Sequence, residues 1–170
     1  MVEPGLNAAS GFARAFEKTP DNEALAVGGR TYSYRELGDF AARIGRGVAR
    51  FPAPERPLVA IFARRSLSAF AGILGCLGEG RGYVPLNPSF PAARTARMLE
   101  AASPGVVVVG NECVDALHTV LPLIREPTVF LFPEADDPPG LPGEGGHRFV
   151  GPAEIARLDG GFTANPLPPD

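Results

Sequence analysis

Pro57-Leu-Val-Ala-Ile-Phe-Ala63, then Arg64-Arg65-Ser66, an apolar-striped run to Leu77, Gly78-Glu-Gly-Arg-Gly82 and Tyr83-Val-Pro-Leu-Asn-Pro88 form the stretch that decides the fold. Leu58 to Ala63 is an unbroken apolar run, the pattern of a strand covered on both faces in a parallel sheet. Ser66 is placed to cap a helix. Leu67, Phe70, Leu74 and Leu77 recur at helical spacing and define one face of it. The glycines end that helix, and Tyr83 to Leu86 begins a second strand. The unit is strand–helix–strand, and its crossover is expected to be right-handed.

Upstream, Ala9, Phe12 and Phe16 share a face of a short helix that Pro20 closes. Ala24-Leu-Ala-Val27, Gly28-Gly29 and Arg30-Thr-Tyr-Ser33 read as a β-hairpin whose two glycines supply the positive φ angles of a tight turn. Ser33 and Glu36 have capping-box spacing, so a second helix starts there, with Leu37, Phe40, Ala41, Ile44 and Val48 as its apolar stripe. Downstream the alternation repeats: a helix opened by Ser89 or Pro91, a strand at Val106–Val109, a helix over 111–121, and a strand over 127–132. The reading is α/β: an open, mostly parallel sheet with helices on both faces, preceded by a short helix and a hairpin. Residues 1–132 form the α/β unit. Residues 133–170, with 8 Pro and 7 Gly among 38, read as a connector with a short helix at 152–158.

The chain has 170 residues, 45% of them hydrophobic, and a net charge of -3, enough for one buried core. Of 16 basic residues, 15 are arginine and scattered among acids, with Lys18 the single lysine, so no basic stripe points to nucleic acid. No apolar run is long enough to span a membrane. Cys76 and Cys113 lack a CxxC spacing and read as free thiols of a cytoplasmic protein.

The Gly78–Gly82 cluster lies after a helix and before a strand, the reverse of a phosphate-binding loop, and reads as a helix stop. Arg64, Arg65 and Ser66 stand at the C-terminal end of a strand, where open α/β sheets bind ligands, and are the binding candidates; the alternative is a capping serine beside two solvated arginines. His118 and His147 have no partner at metal-ligand spacing, and no serine sits in a GxSxG elbow. The residues alone assemble no catalytic site and no metal site.

Two segments carry a family resemblance. Thr31-Tyr-Ser-Tyr-Arg-Glu-Leu37 is similar to the "L-T-Y-x-E-L" motif of the adenylate-forming superfamily, which includes acyl- and aryl-CoA ligases, luciferase-like enzymes and the adenylation domains of nonribosomal peptide synthetases. Leu77 to Pro88 resembles that superfamily's "L-K-A-G-x-A-Y-V-P-L-D-P", and its "Y-V-P-L-(D/N)-P" form is closest to the amino-acid adenylation domains. The resemblance is strongest from Phe12 to Val109. Asn87 stands where the family has Asp, and Gly78-Glu79 where it has Lys-Ala.

By this resemblance the matched positions Thr31, Tyr32, Tyr34, Glu36, Leu37, Gly80, Tyr83, Pro85, Asn87 and Pro88 are structural. The chain would be the N-terminal part of the adenylate-forming fold. The parent enzyme would use ATP and Mg2+ to activate a carboxylate, an amino acid by the closest motif, as an acyl-AMP. It would then pass the acyl group to a phosphopantetheine thiol on a carrier protein. The family's phosphate loop is expected beyond Asp170, so no cofactor is expected on this chain, and the partners would be the remainder of the adenylation domain and the carrier. The alternative is a free-standing module that binds a complementary subunit or regulates a synthetase. The first reading expects a broad exposed apolar face on the isolated chain.

Overall fold

The computed structural model describes residues 8–52, 57–134, 146–157 and 162–163. Helix α1 (Ser10–Lys18) leads into the hairpin β1 (Glu23–Val27) and β2 (Arg30–Ser33). Gly28 and Gly29 turn it at φ of 60° and 76°, angles a β-carbon disfavours. Ser33 then caps α2 (Tyr34–Ala49). Its hydroxyl accepts the Glu36 N–H while the Glu36 carboxylate accepts the Ser33 N–H, a reciprocal box that fixes where the helix begins.

The main sheet holds β3 (Leu58–Phe62), β4 (Gly82–Leu86), β5 (Val106–Val109), β6 (Val129–Leu131) and β7 (Arg148–Val150), in the order β4-β3-β5-β6-β7 and all parallel. Between them run α3 (Leu67–Gly78), α4 (Ala92–Ala102) and α5 (Val114–Val120), the last flanked by 3-10 turns at Asn111–Cys113 and Leu121–Leu123; α6 (Pro152–Ala156) follows β7. Pro122 supplies no N–H to continue α5.

Alternate strand residues divide between two cores. Val59, Ile61, Val106, Val108, Leu131 and Val150 pack toward α2 and α3, while Ala60, Phe62, Val107, Val109 and Phe130 pack toward α4 and α5. Both faces of the strands are therefore covered, as their unbroken apolar runs require. Cys76 belongs to the first core and Cys113 to the second, so the sheet stands between them and both are free thiols.

Three features differ from the sequence reading. Within the stretch read as connector, β7 pairs with β6, and Val150, Ile155 and Phe162 are buried in the α2–α3 core. The three-residue strand is held by its neighbour rather than by its own pattern. On α3 the buried residues are the small ones, Ser68, Ala71, Gly72, Gly75, Cys76 and Gly78, while Leu67, Phe70, Leu74 and Leu77 are half-buried. Gly75 faces Gly45 of α2, and a β-carbon on Gly72 would touch Ile61 and Val108 of the sheet. Close approach of α2 and of the sheet selects the small face. Finally, the broad exposed face is reduced: among the described residues the large hydrophobics that stand exposed are Tyr83 at 39% and Leu123 at 47%.

Candidate functional site

Strand order reverses between β3 and β5, so the crevice beyond their carboxyl ends is where an open α/β sheet receives a ligand. Arg64, Arg65 and Ser66 leave β3 at this point. Ser66 accepts the Ala69 N–H at 3.4 Å and caps α3, while Arg64 and Arg65 are exposed.

Two donors of this crevice are engaged by the chain's own carboxylates. Glu112 Oε1 accepts the Arg64 N–H at 2.7 Å. The same carboxylate folds back over Gly110, where a β-carbon would lie 2.6 Å from Oε1 and 2.8 Å from Oε2. Glu134, just past β6, accepts the hydroxyl proton of the fully buried Ser68 in the first turn of α3. Two negative charges thus stand at the end of α3 whose dipole would favour a phosphate. The Arg64 N–H and the Ser68 hydroxyl are thereby engaged, while the Arg64 and Arg65 side chains stand exposed. Among the described residues no three His, Cys, Asp or Glu side chains converge to hold a metal ion. Burial, with Glu112 beside it, pushes the Cys113 thiol up to about 12, so it is no nucleophile.

The motif positions lie in the hairpin, the cap of α2, the turn after α3, and β4 with the turn that follows it. In the first motif, Thr31 and Tyr32 pair with Ala26 and Leu25 across the hairpin. Tyr32 lies beneath the Arg30 guanidinium, 4.5 Å from its ring centroid, and Tyr34 sits against Phe12 at 5.4 Å. Glu36 completes the cap and binds Arg30; these contacts hold its carboxyl below the usual range, the Ser33 N–H first among them. Leu37 is buried. In the second motif, Gly80 takes φ of 68° in the turn after α3, and Tyr83 and Pro85 pair with Val59 and Ile61. Asn87 Oδ1 accepts the Ser89 N–H at 2.9 Å, closing the turn that Pro88 occupies. A carboxylate oxygen would accept that proton equally well, so the Asp-to-Asn departure keeps the turn.

The second candidate is α3, whose large apolar residues pack at the margin of the first core. From Leu67 to Gly78 the helix carries no charged residue. A surface helix has a polar side, and one that is apolar all round is a buried helix. Here Leu67, Phe70, Ile73, Leu74 and Leu77 remain half-buried.

Sequence reasoning found the arginines and missed the two carboxylates beside them. A signal existed: Glu112 and Glu134 each stand three residues past the end of their strand. Acids at equivalent places on neighbouring parallel strands converge on one edge of the sheet.

Residues 12–158 match the AMP-binding enzyme family. The chain belongs to that family. Its curated relatives are nonribosomal peptide synthetases: it is 37% identical over 101 residues to surfactin synthase subunit 3 of Bacillus subtilis (strain 168), covering 59% of this chain and 8% of that protein. With surfactin synthase subunit 2 of the same organism the identity is 31% over 132 residues, 77% of this chain and 4% of that protein. Among solved structures, IdnL7 superposes with a TM-score of 0.71 at 30% identity, covering 98% of this chain and 31% of that chain. The Vibrio cholerae adenylation domain AlmE, solved with glycyl-adenosine-5'-phosphate, shares the fold at a TM-score of 0.75 and 22% identity, covering 94% of this chain and 30% of that chain. The chain thus spans less than a third of either structure and a few per cent of the synthetases.

Proposed function

We propose that this chain supplies the N-terminal α/β subdomain of an ATP-dependent adenylate-forming enzyme that activates an amino acid within a nonribosomal peptide synthetase. The complete enzyme would join the carboxylate to ATP, giving an acyl-AMP and pyrophosphate. It would then transfer the acyl group to the phosphopantetheine thiol of a carrier protein. ATP and Mg2+ belong to that complete enzyme, and no step of the chemistry is assigned to residues of this chain. The role of this portion is architectural: one sheet with its helices, against which the rest of the domain packs.

The observation that carries the reading is α3. A twelve-residue helix without a charge, with five large apolar residues half-buried, is built to be covered. A neighbouring layer of the same adenylation domain fits that need, because the relatives continue well beyond the matched portion. Free thiols and the lack of any helix long and apolar enough to cross a membrane among the described residues are consistent with a cytoplasmic enzyme.

The test is the intact mass of the protein in its native source, read beside the coding frame past Asp170. A mass several times 17.8 kDa, with amino-acid-dependent ATP–pyrophosphate exchange by that full protein, is the expected result. A native mass near 17.8 kDa overturns it and favours the second reading, a free-standing module. Its complementary half-domain would then be sought on the α3 face.

A further inference from the structure

A groove of about 570 Å³ opens at the opposite edge of the sheet, between α4 and the segment that enters β6. Its floor is Leu99, Pro104 and Thr128, and one wall is the Ile124–Thr128 segment. That wall is secured from behind by His147, the residue just before β7. The Thr128 N–H donates to His147 Nδ1 at 3.3 Å, and the backbone carbonyl of Ile124 lies within hydrogen-bonding reach of the ring. The imidazole stands edge-on to Phe130, centroids 5.6 Å apart at 80°. One ring therefore ties both ends of the wall to the start of the edge strand.

An imidazole that accepts at one nitrogen and donates at the other is neutral; the imidazolium has two donors and no acceptor. Protonation must break the Thr128 bond. We propose that His147 is a pH-sensitive pin: neutral, it holds the Ile124–Thr128 wall and the start of β7 together, and protonated it releases them.

Burial is the larger influence on the ring and lowers its pKa from 6.5, opposed by the carbonyl of Ile124. The charged residues on the elements around it are Arg125 and Glu126 on the wall and Arg148 on β7. Arg148 is committed to Glu154 at 2.9 Å, and β6 contributes only Phe130 and its apolar neighbours. With a folded-state pKa below the unfolded value, the unfolded chain takes up the proton first. The pin is therefore fully set above about pH 6.5 and weakens as pH falls through the folded value.

The test is amide hydrogen exchange of the 170-residue chain at pH 7.5 and pH 5.0, expressed as protection factors so that intrinsic rates cancel. Thr128 and Arg148 should lose about tenfold protection at pH 5.0, the size of one hydrogen bond, while Val107 and Val108 in the centre of the sheet keep theirs. His147→Asn retains an acceptor near the position of Nδ1 without titrating, and should make Thr128 protection equal at the two pH values. An unchanged wild-type protection factor at Thr128, a ring pKa at or above 6.5 by NMR, or the same acid loss in His147→Asn overturns the proposal.

Discussion

Gly75 of α3 and Gly45 of α2 lie backbone against backbone. A β-carbon on Gly75 would fall 2.9 Å from the amide nitrogen of Gly45 and 2.6 Å from the carbonyl oxygen of Ala41, and one on Gly45 would fall 2.9 Å from the carbonyl oxygen of Gly75. The two longest helices meet here, where only hydrogen atoms fit. That contact turns the small face of α3 inward and leaves Phe70 and Leu74 half-buried at the margin of the same core.

Gly75→Ala should therefore destabilise the protein, although alanine is the better helix former by about 1 kcal/mol. Backbone cannot yield as a side chain can, and overpacking of this kind costs about 1–3 kcal/mol. Urea unfolding should show a lower midpoint at unchanged slope. Gly11→Ala in α1, where a β-carbon meets nothing within 4 Å, should raise the midpoint instead. A Gly75→Ala protein as stable as Gly11→Ala would refute the close-packing account.

Phe162 is 6% exposed and stands edge-on to Phe12, centroids 5.1 Å apart at 80°. Its ring also lies 3.3 Å from the place a Gly78 β-carbon would take. Phe162→Ala should cost about 3 kcal/mol, within the range for a buried phenylalanine. Denaturant titration measures it. A change below about 0.5 kcal/mol would mean that the ring contributes nothing to the fold.

Cys76 and Cys113 should be silent toward iodoacetamide in the native protein at pH 8. Burial raises both thiols to about 12, leaving roughly one thiolate in ten thousand. Mass spectrometry should find both unmodified until urea unfolds the chain, and then both alkylated. Labelling of either one in native buffer contradicts the buried placement.

ATP titrated into this chain should release no heat at millimolar concentration. The Arg64 N–H and the Ser68 hydroxyl already serve Glu112 and Glu134, and a phosphate would have to displace like charge. Calorimetry decides it. Heat that disappears in Arg64→Ala would return the arginines to the role the sequence suggested for them.

What could be read from the sequence was what local chemistry decides. Gly28-Gly29, Ser33 with Glu36, and Ser66 each announce a turn or a cap, and the apolar run over 58–63 can only be a covered strand. The inward side of α3 was not legible, because a helix with no charged residue and a single buried serine has no periodic contrast to orient it. β7 was hidden for another reason. Three residues between a glycine-rich stretch and Gly151-Pro152 become a strand only when β6 offers its edge. The carboxylates of the crevice were missed because their convergence depends on strand order, which spacing along the chain does not encode.

The Phe12–Phe162 contact also sets a clock. The two rings are separated by 150 residues of chain, so a ribosome adding about 5–20 residues per second needs roughly 8–30 s to deliver the second after the first. During that interval α1 can settle on α2 through Phe16 and Gly38, but its Phe162-facing side stays bare. Helix α1 is thus sealed only after the 150 residues that follow Phe12 have been made.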